Sequence, residues 1–573
     1  MITRNNSNNA KTTSLWYQCA VTTAIVGGVF SLIILTLIVI NHFQMSIILP
    51  KWEEKLEALK VEIRNKPDDE QLLLQIRQFD LQIRKYRIRG LDFSYKGSYL
   101  LFGSVAVLLI GVKWASTFKK KVPAPQLCTK PQDKQVHQAT WARWTVTAGL
   151  VILGSGALIL SKRAKIDFSE ATIESAFYPS MEQIAKNWPR FRGPGGLGIS
   201  AYTNIPLSWN GKIGEGIAWK SKVPLPGHSS PVVWNDRVFL SGGDANNCQV
   251  FCFDASSGEL LWQGDVPHVS QAGEQPFEVM ADTGYAAPTV VTDGQRVCAI
   301  FATGDIGCFD FAGNRIWARS LGIPDSAYGY ASSLTMYRNL LLIQYDQASV
   351  EEEKSKLIAL DVFSGNTVWQ IKRPVSASWT SSIIAKIGGQ YQIITCSDPW
   401  VIAYDPAKGE ELWRAKCLSG DIAPSPIYAG GLIFVIEPYT KLVAIQPNGR
   451  GDVTETHVAW SIEDLGPDIC SPVSDGELVF LLTTEGILAC YKVIDGTKLW
   501  EEDLREIFFA SPSLVGEQLY LLSEEGVMFI IKADPDEYKE LARCELGEKC
   551  YASPAFADGR IYIRAEQNLY CID

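Results

Sequence analysis

Thirteen cysteines and five histidines are the residues of this 573-residue chain whose types could carry metal, redox or acid–base chemistry. The cysteines form no Cys-x-x-Cys motif and no adjacent pair, and an odd count at irregular spacing fits neither a zinc site nor a disulfide framework. Cys252, Cys308, Cys490 and Cys571 fall at one position of an internal repeat, and Ala359, Ala403 and Ala444 fill that position in other copies. A position that accepts Cys or Ala selects a small buried side chain, which makes these thiols packing residues. Cys544 and Cys550 are close enough in sequence for a disulfide, but nothing demands one. His228 stands before Ser229-Ser230-Pro231 and could face a channel as an acid, base or ligand, or be an ordinary packed histidine. Arg190 and Arg192, in a Gly/Pro-rich segment, could pair with acidic groups or lock a junction of the fold; the lock is the preferred reading. No nucleophile, metal cluster or phosphate loop is recognisable, so no catalytic residue is assigned.

The elements that hold these residues show a period of 40–50 residues, the mark of a propeller or solenoid. Each unit opens on a small-residue turn, often Ser-Pro, and passes through two strands. A third strand ends in an aromatic residue and Asp, a Ser-Gly turn follows, and a fourth strand closes on Trp. The first copy contains Val238-Phe239-Leu240, Val250-Phe251-Cys252-Phe253-Asp254, Ser257-Gly258 and Leu260-Leu261-Trp262. Closing tryptophans recur at Trp317, Trp369, Trp413, Trp460 and Trp500. The seventh copy has lost its Trp and ends near Leu541-Ala542, and the eighth stops after three strands at Asp573. The missing strand is Ile217-Ala218-Trp219-Lys220, which precedes every other copy. Joined to the last three strands it completes a blade and removes an exposed sheet edge. The expected fold is an all-β eight-bladed propeller over residues 188–573, with seven blades the competing count should one irregular copy be an insertion.

Trp can cover the seam between blades while its indole N–H finds a partner at the rim. Gly and Asp supply the tight turns. The motifs Cys252-Phe253-Asp254…Ser257-Gly258…Leu261-Trp262, Ala403-Tyr404-Asp405…Gly409…Leu412-Trp413 and Leu360-Asp361…Ser364-Gly365…Val368-Trp369 make the chain resemble the PQQ-repeat, quinoprotein-like propellers. Trp188-Pro189-Arg190-Phe191-Arg192-Gly193-Pro194 looks like the opening segment of the membrane-anchored, BamB-like branch, although no lipobox cysteine is found. The resemblance implies an extracytoplasmic or periplasmic propeller and an interaction or assembly role. In quinoprotein alcohol dehydrogenases it also implies PQQ on the axis, a calcium held by acidic and amide side chains, and a disulfide of adjacent cysteines. Those residues cannot be matched here, so the fold name does not transfer the cofactor.

The first third reads as membrane-associated. After a tail over residues 1–14, the uncharged stretch 15–40 exceeds the ~20 residues that cross a bilayer. Shorter spans are expected at 98–115 and 143–161, flanked by Trp and Lys/Arg. A charged helical hairpin is expected over 51–89, a loop over 116–142 and a linker over 162–187. Lys/Arg are balanced between the loops, so charge leaves the orientation open. The formal charge of −10 and the absence of a basic stripe argue against nucleic acid. The favoured reading is an integral-membrane, non-catalytic scaffold whose propeller loops bind other proteins and whose helices contact lipid. The alternatives are a PQQ-dependent quinoprotein-type oxidoreductase and a sensor for a small ligand or carbohydrate.

Overall fold

The computed structural model describes residues 5–65, 70–117, 178–267, 278–464 and 466–573. The chain divides into two compact units, Met1–Ser175 and Ala176–Asp573.

In the first unit, helix α1 (Asn5–Asn65) packs on helix α2 (Glu70–Thr117). Small residues let the two backbones approach. A Cβ on Gly111 would stand 2.8 Å from the Ala24 nitrogen, and the Ser31 and Ser104 hydroxyls bond across the seam at 2.7 Å. Farther along, Leu56, Phe79 and Ile83 are buried with Trp52 packed on them. Over the stretch 51–89, where a charged hairpin is expected, the described helices continue from the apolar spans rather than starting as separate elements. Among the described residues, two stretches are long and apolar enough to cross a bilayer, Ala20–Trp52 and Lys96–Thr117. The span expected at 143–161 and the loop at 116–142 lie outside the described residues, as does most of the linker expected at 162–187.

The second unit is a ring of eight four-stranded antiparallel sheets, two of them carrying one extra short strand. Seven blades are continuous in sequence. The eighth joins Ile217–Lys222 to the three C-terminal strands, with Trp219 opposite Cys571. All eight sheets are complete, so no copy is an insertion and the count of eight stands over seven.

The register explains the interchangeable Cys and Ala. Cys252, Cys308, Ala359, Ala403, Ala444, Cys490 and Cys571 each lie directly opposite a closing Trp. In the seventh blade the sizes are exchanged, with Ile530 opposite Ala542. A seam of fixed volume takes one large and one small residue, in either order. The indole then reaches the following blade: Trp219 donates to Ala255 O at 3.0 Å, Trp317 to Val362 O at 2.8 Å and Trp500 to Asp534 O at 2.8 Å. Beneath the Trp219 ring sits Gly258, where a Cβ would come within 2.6 Å of it, so the Ser-Gly turn is also the seat of the preceding blade's Trp. Cys544 and Cys550, the pair considered for a disulfide, are both free and buried.

Candidate functional site: the two ends of the propeller axis

Strand alternation sorts the loops. The loop entering each inner strand and the turn joining the second and third strands share one face, here the mouth face. The remaining turns share the other, the plug face.

Just inside the mouth, eight hydroxyl residues, one per blade, stand at one repeat position. The backbone N–H of Ser230 donates to Thr289 Oγ1. The same bond then runs from Thr289 to Ser333, Ser381, Ser425, Ser471, Ser511 and Ser553, at 2.9–3.1 Å. Seven bonds of one kind thus tie eight inner strands into a belt. At about 1 kcal/mol net apiece they fix the radius of the channel. The recurring Ser-Pro had suggested only a turn; aligning the copies would have exposed the invariant hydroxyl.

The residue two before each hydroxyl is partly exposed, while the one between is buried, so these positions rim the opening. Four consecutive blades place Ile469, Phe509, Tyr551 and His228 there. Phe509 and Tyr551 rings lie 5.6 Å apart, and Tyr551 and His228 rings 4.9 Å. Trp379 holds the position in the fourth blade and meets Tyr328 edge-on at 5.0 Å. The remaining blades carry Ala287, Ala331 and Ala423, which leave the opening wide on that side. Around this apolar crescent, Ile507 and Tyr439 are exposed by 49% and 65%. The mouth loops are acidic, with Asp282, Asp421, Glu485, Glu525 and Glu566 exposed. Among the bases there, Lys549 pairs with Glu524 and Glu525, while Arg505 is exposed beside Ile507. Burial, then the charge of Arg564, lowers the His228 pKa to about 4 against a partial rise from Asp282. At neutral pH His228 is an uncharged aromatic wall.

At the opposite end, residues 188–200 lie across the axis. Trp188 bridges to Val233 of the first blade and packs on Phe556 of the eighth; Pro189 O accepts from Thr292 of the second. Arg190 donates to Ser382 O of the fourth blade at 2.7 Å, and Arg192 to Pro472 O of the sixth at 2.5 Å. Ile199–Ser200 then adds a parallel strand beside Leu514 and Val515 of the seventh. This segment is a plug touching inner strands around the ring. Short helix α3 (Met181–Ala185), capped by Ser180, leads into it. Arg190 and Arg192 are brought together in the plug, on the face opposite His228.

Two further buried arginines escaped the sequence reading. Arg564, in the composite blade, donates to Ser229 Oγ at 2.6 Å, Ser241 O at 2.5 Å and Leu225 O at 3.2 Å, tying the last blade to the first. Arg373 bridges the third and fourth blades. Its Nε and Nη2 donate to Asp346 at 2.7 and 3.2 Å, and its Nη1 donates to Thr395 and Tyr404. Asp346 also accepts from Gln344 and Ser378, so both charges are fully satisfied. Neither position repeats in other blades, which is why no periodic signal marks them.

Among the described residues no three His, Cys, Asp or Glu side chains gather in a way that could hold a metal ion. Together with the missing adjacent cysteines, this donor set does not fit the calcium–quinone arrangement of the dehydrogenases.

A family model described as outer membrane protein assembly factor BamB matches residues 209–326, 329–501 and 397–573. Tetrathionate hydrolase of Acidithiobacillus ferrooxidans is 20% identical over 230 residues, which is 40% of this chain and 44% of that protein. BamB of Alkalilimnicola ehrlichii is 25% identical over 225 residues, 39% of this chain and 52% of that one. The chain thus spans about half the length of the relatives it matches, or less. Among solved structures, BamB from Moraxella catarrhalis aligns with a TM-score of 0.47 at 13% identity, covering 62% of this chain and 99% of that one. The quinohemoprotein alcohol dehydrogenase ADHIIG from Pseudomonas putida HK5 aligns with a TM-score of 0.49 at 12% identity, covering 69% and 82%.

Proposed function

Because this chain belongs to the family described as outer membrane protein assembly factor BamB, we propose that its propeller is a non-catalytic docking ring, tethered to a membrane by the N-terminal helices. The observation that carries this reading is the mouth: four adjacent blades present an aromatic and aliphatic crescent at one repeat position, inside a predominantly acidic rim. Buried aromatic anchors within a polar rim are how protein interfaces concentrate affinity, and the charge selects a partner with basic residues around an apolar anchor. His228 contributes as a neutral ring rather than as an acid or base. The domain division, with membrane spans first and the propeller over 188–573 extracytoplasmic, belongs to the same proposal.

The test places a photo-crosslinking residue at Ile507 in the full-length protein in its own membranes, and another at Asp558 on the plug face. One discrete partner should be captured from Ile507 and not from Asp558. Phe509→Ala with Tyr551→Ala should abolish that capture, and raised salt should weaken it. Equal capture from both faces would remove the mouth as the docking site. Stoichiometric PQQ and Ca²⁺ binding with dye reduction would replace the scaffold by an oxidoreductase.

A further inference from the structure

The plug holds two buried guanidinium groups, that of Arg192 fully so, for which the protein supplies no counter-charge among the described residues. Arg192 Nη2 donates to Leu197 O and Pro472 O, while its Nε and Nη1 have no hydrogen-bond partner. Arg190 Nη2 donates to Ser382 O, and its Nε is likewise unpartnered. Neither arginine has an ion pair with a carboxylate among the described residues. The titratable side chains that act on them are Tyr178 on Arg190 and Cys470 on Arg192. Both are held neutral, the phenol raised to about 12 and the thiol raised as well, chiefly by burial. The arginines also disfavour one another: burial first, and for Arg192 the charge of Arg190 too, lowers their pKa values to about 10 and about 9. Values that low still leave both protonated at neutral pH.

A buried charge is tolerated when it is paired, and N–H groups that face no acceptor are costly to leave so. Two like charges side by side, three unpartnered nitrogens between them and no internal carboxylate form a receptor lacking only its anion. We propose that the plug binds a small monovalent inorganic anion of the chloride class between Arg190 and Arg192. A Cβ on Gly196 would stand 3.3 Å from Arg190 Cζ, and one on Gly198 only 2.8 Å from Arg192 Nη2. These two glycines, both with positive φ, thus let the plug backbone pack directly against the guanidinium groups. Bound there, the anion would couple the fourth and sixth blades through the axis, because each arginine is anchored to one of them.

The experiment uses the full-length protein in detergent and chloride as the probe. Thermal unfolding is followed at constant ionic strength while sodium gluconate is exchanged for sodium chloride. The unfolding midpoint should rise with chloride and saturate, since a ligand of the folded state stabilises by mass action. Arg190→Gln and Arg192→Gln should each abolish the rise, while Arg315→Gln, a surface control, should retain it. Should either plug variant fail to fold, crystals of the unaltered protein soaked in bromide decide the matter. An anomalous peak between the two guanidinium groups supports the site. A midpoint indifferent to chloride, or soaked crystals with water and no peak there, overturns it.

Discussion

Arg373 and Arg192 are both fully buried and both bridge neighbouring regions of the ring, yet they are held in opposite ways. Arg373 lies at the seam of the third and fourth blades against Asp346, whose carboxylate also accepts from Gln344 and Ser378. Burial alone would lower its pKa; the adjacent Asp346 and Tyr404 raise it instead. Arg192 has two carbonyl bonds and nothing negative, and its pKa falls. The first arrangement is closed and structural. The second is open, and its chemistry is completed from outside. A buried arginine thus reveals its role by what it faces rather than by how deep it lies.

Removing the partner of the closed pair should produce the largest effect. Asp346→Ala leaves the Arg373 charge buried and alone, which should cost about 3–5 kcal/mol. Urea unfolding followed by tryptophan emission would measure it. A loss below about 1 kcal/mol would mean that water reaches the seam and that the two arginines do not differ in kind.

Dependence on a partner extends to apolar pairs, and the seventh blade tests it. Ile530 stands where other blades have Cys or Ala, opposite Ala542 where they have Trp. Ile530→Ala should cost about 2–5 kcal/mol through the cavity left behind. Ala542→Trp alone should cost about 1–3 kcal/mol by overpacking. The double variant should recover much of both losses, a coupling that a double-mutant cycle reads directly. Additive losses would show that the seventh seam is not a volume exchange.

His228 reports on a third unpaired arginine. Burial, with Arg564 adding to it, lowers the folded-state pKa from an ordinary 6.5 to about 4. A depressed histidine contributes its stability above pH 6.5 and loses it as pH falls toward 4, because the unfolded state takes up the proton first. The full shift corresponds to about 3 kcal/mol, and screening at the partly open mouth reduces this to about 2 kcal/mol. His228→Phe should therefore flatten the wild-type fall in unfolding midpoint between pH 6.5 and 4. Identical pH profiles would show that the ring is already protonated in the folded state.

What the sequence made legible was whatever repeats. Trp262, Gly258 and Cys252 recur in register because each seam needs the same volumes and turns, so blade count and ring closure could be read from them. The belt hydroxyls repeat as well, but a serine before proline satisfies a simpler turn reading, and a backbone-to-side-chain bond into the next blade has no signature along one strand. Arg373, Asp346 and Arg564 occur once each; only three-dimensional proximity joins residues 27 or more positions apart. The plug was legible as an unusual Trp-Pro-Arg-Phe-Arg-Gly-Pro segment, while its course across the axis depends on contacts with six separate blades. Likewise, a lone His228 carries no message until Tyr551 and Phe509 are seen beside it.

The smallest stability change is expected at the open arginine, and that smallness is the sharpest statement of the comparison. Arg192→Met keeps most of the side-chain volume, removes a buried charge and gives up two bonds to backbone carbonyls. In a buffer whose anion is too large to enter the plug, the desolvation relieved and the bonds lost oppose each other. The net change should stay within about 1 kcal/mol, since apolar replacement of poorly compensated buried charge is often neutral or stabilising. In chloride the same substitution should look more harmful, because the wild type then gains a ligand that the variant cannot hold. Urea unfolding in gluconate and in chloride gives both values. A loss in gluconate as large as that of Asp346→Ala would assign Arg192 the same structural work as Arg373 and dissolve the distinction between them.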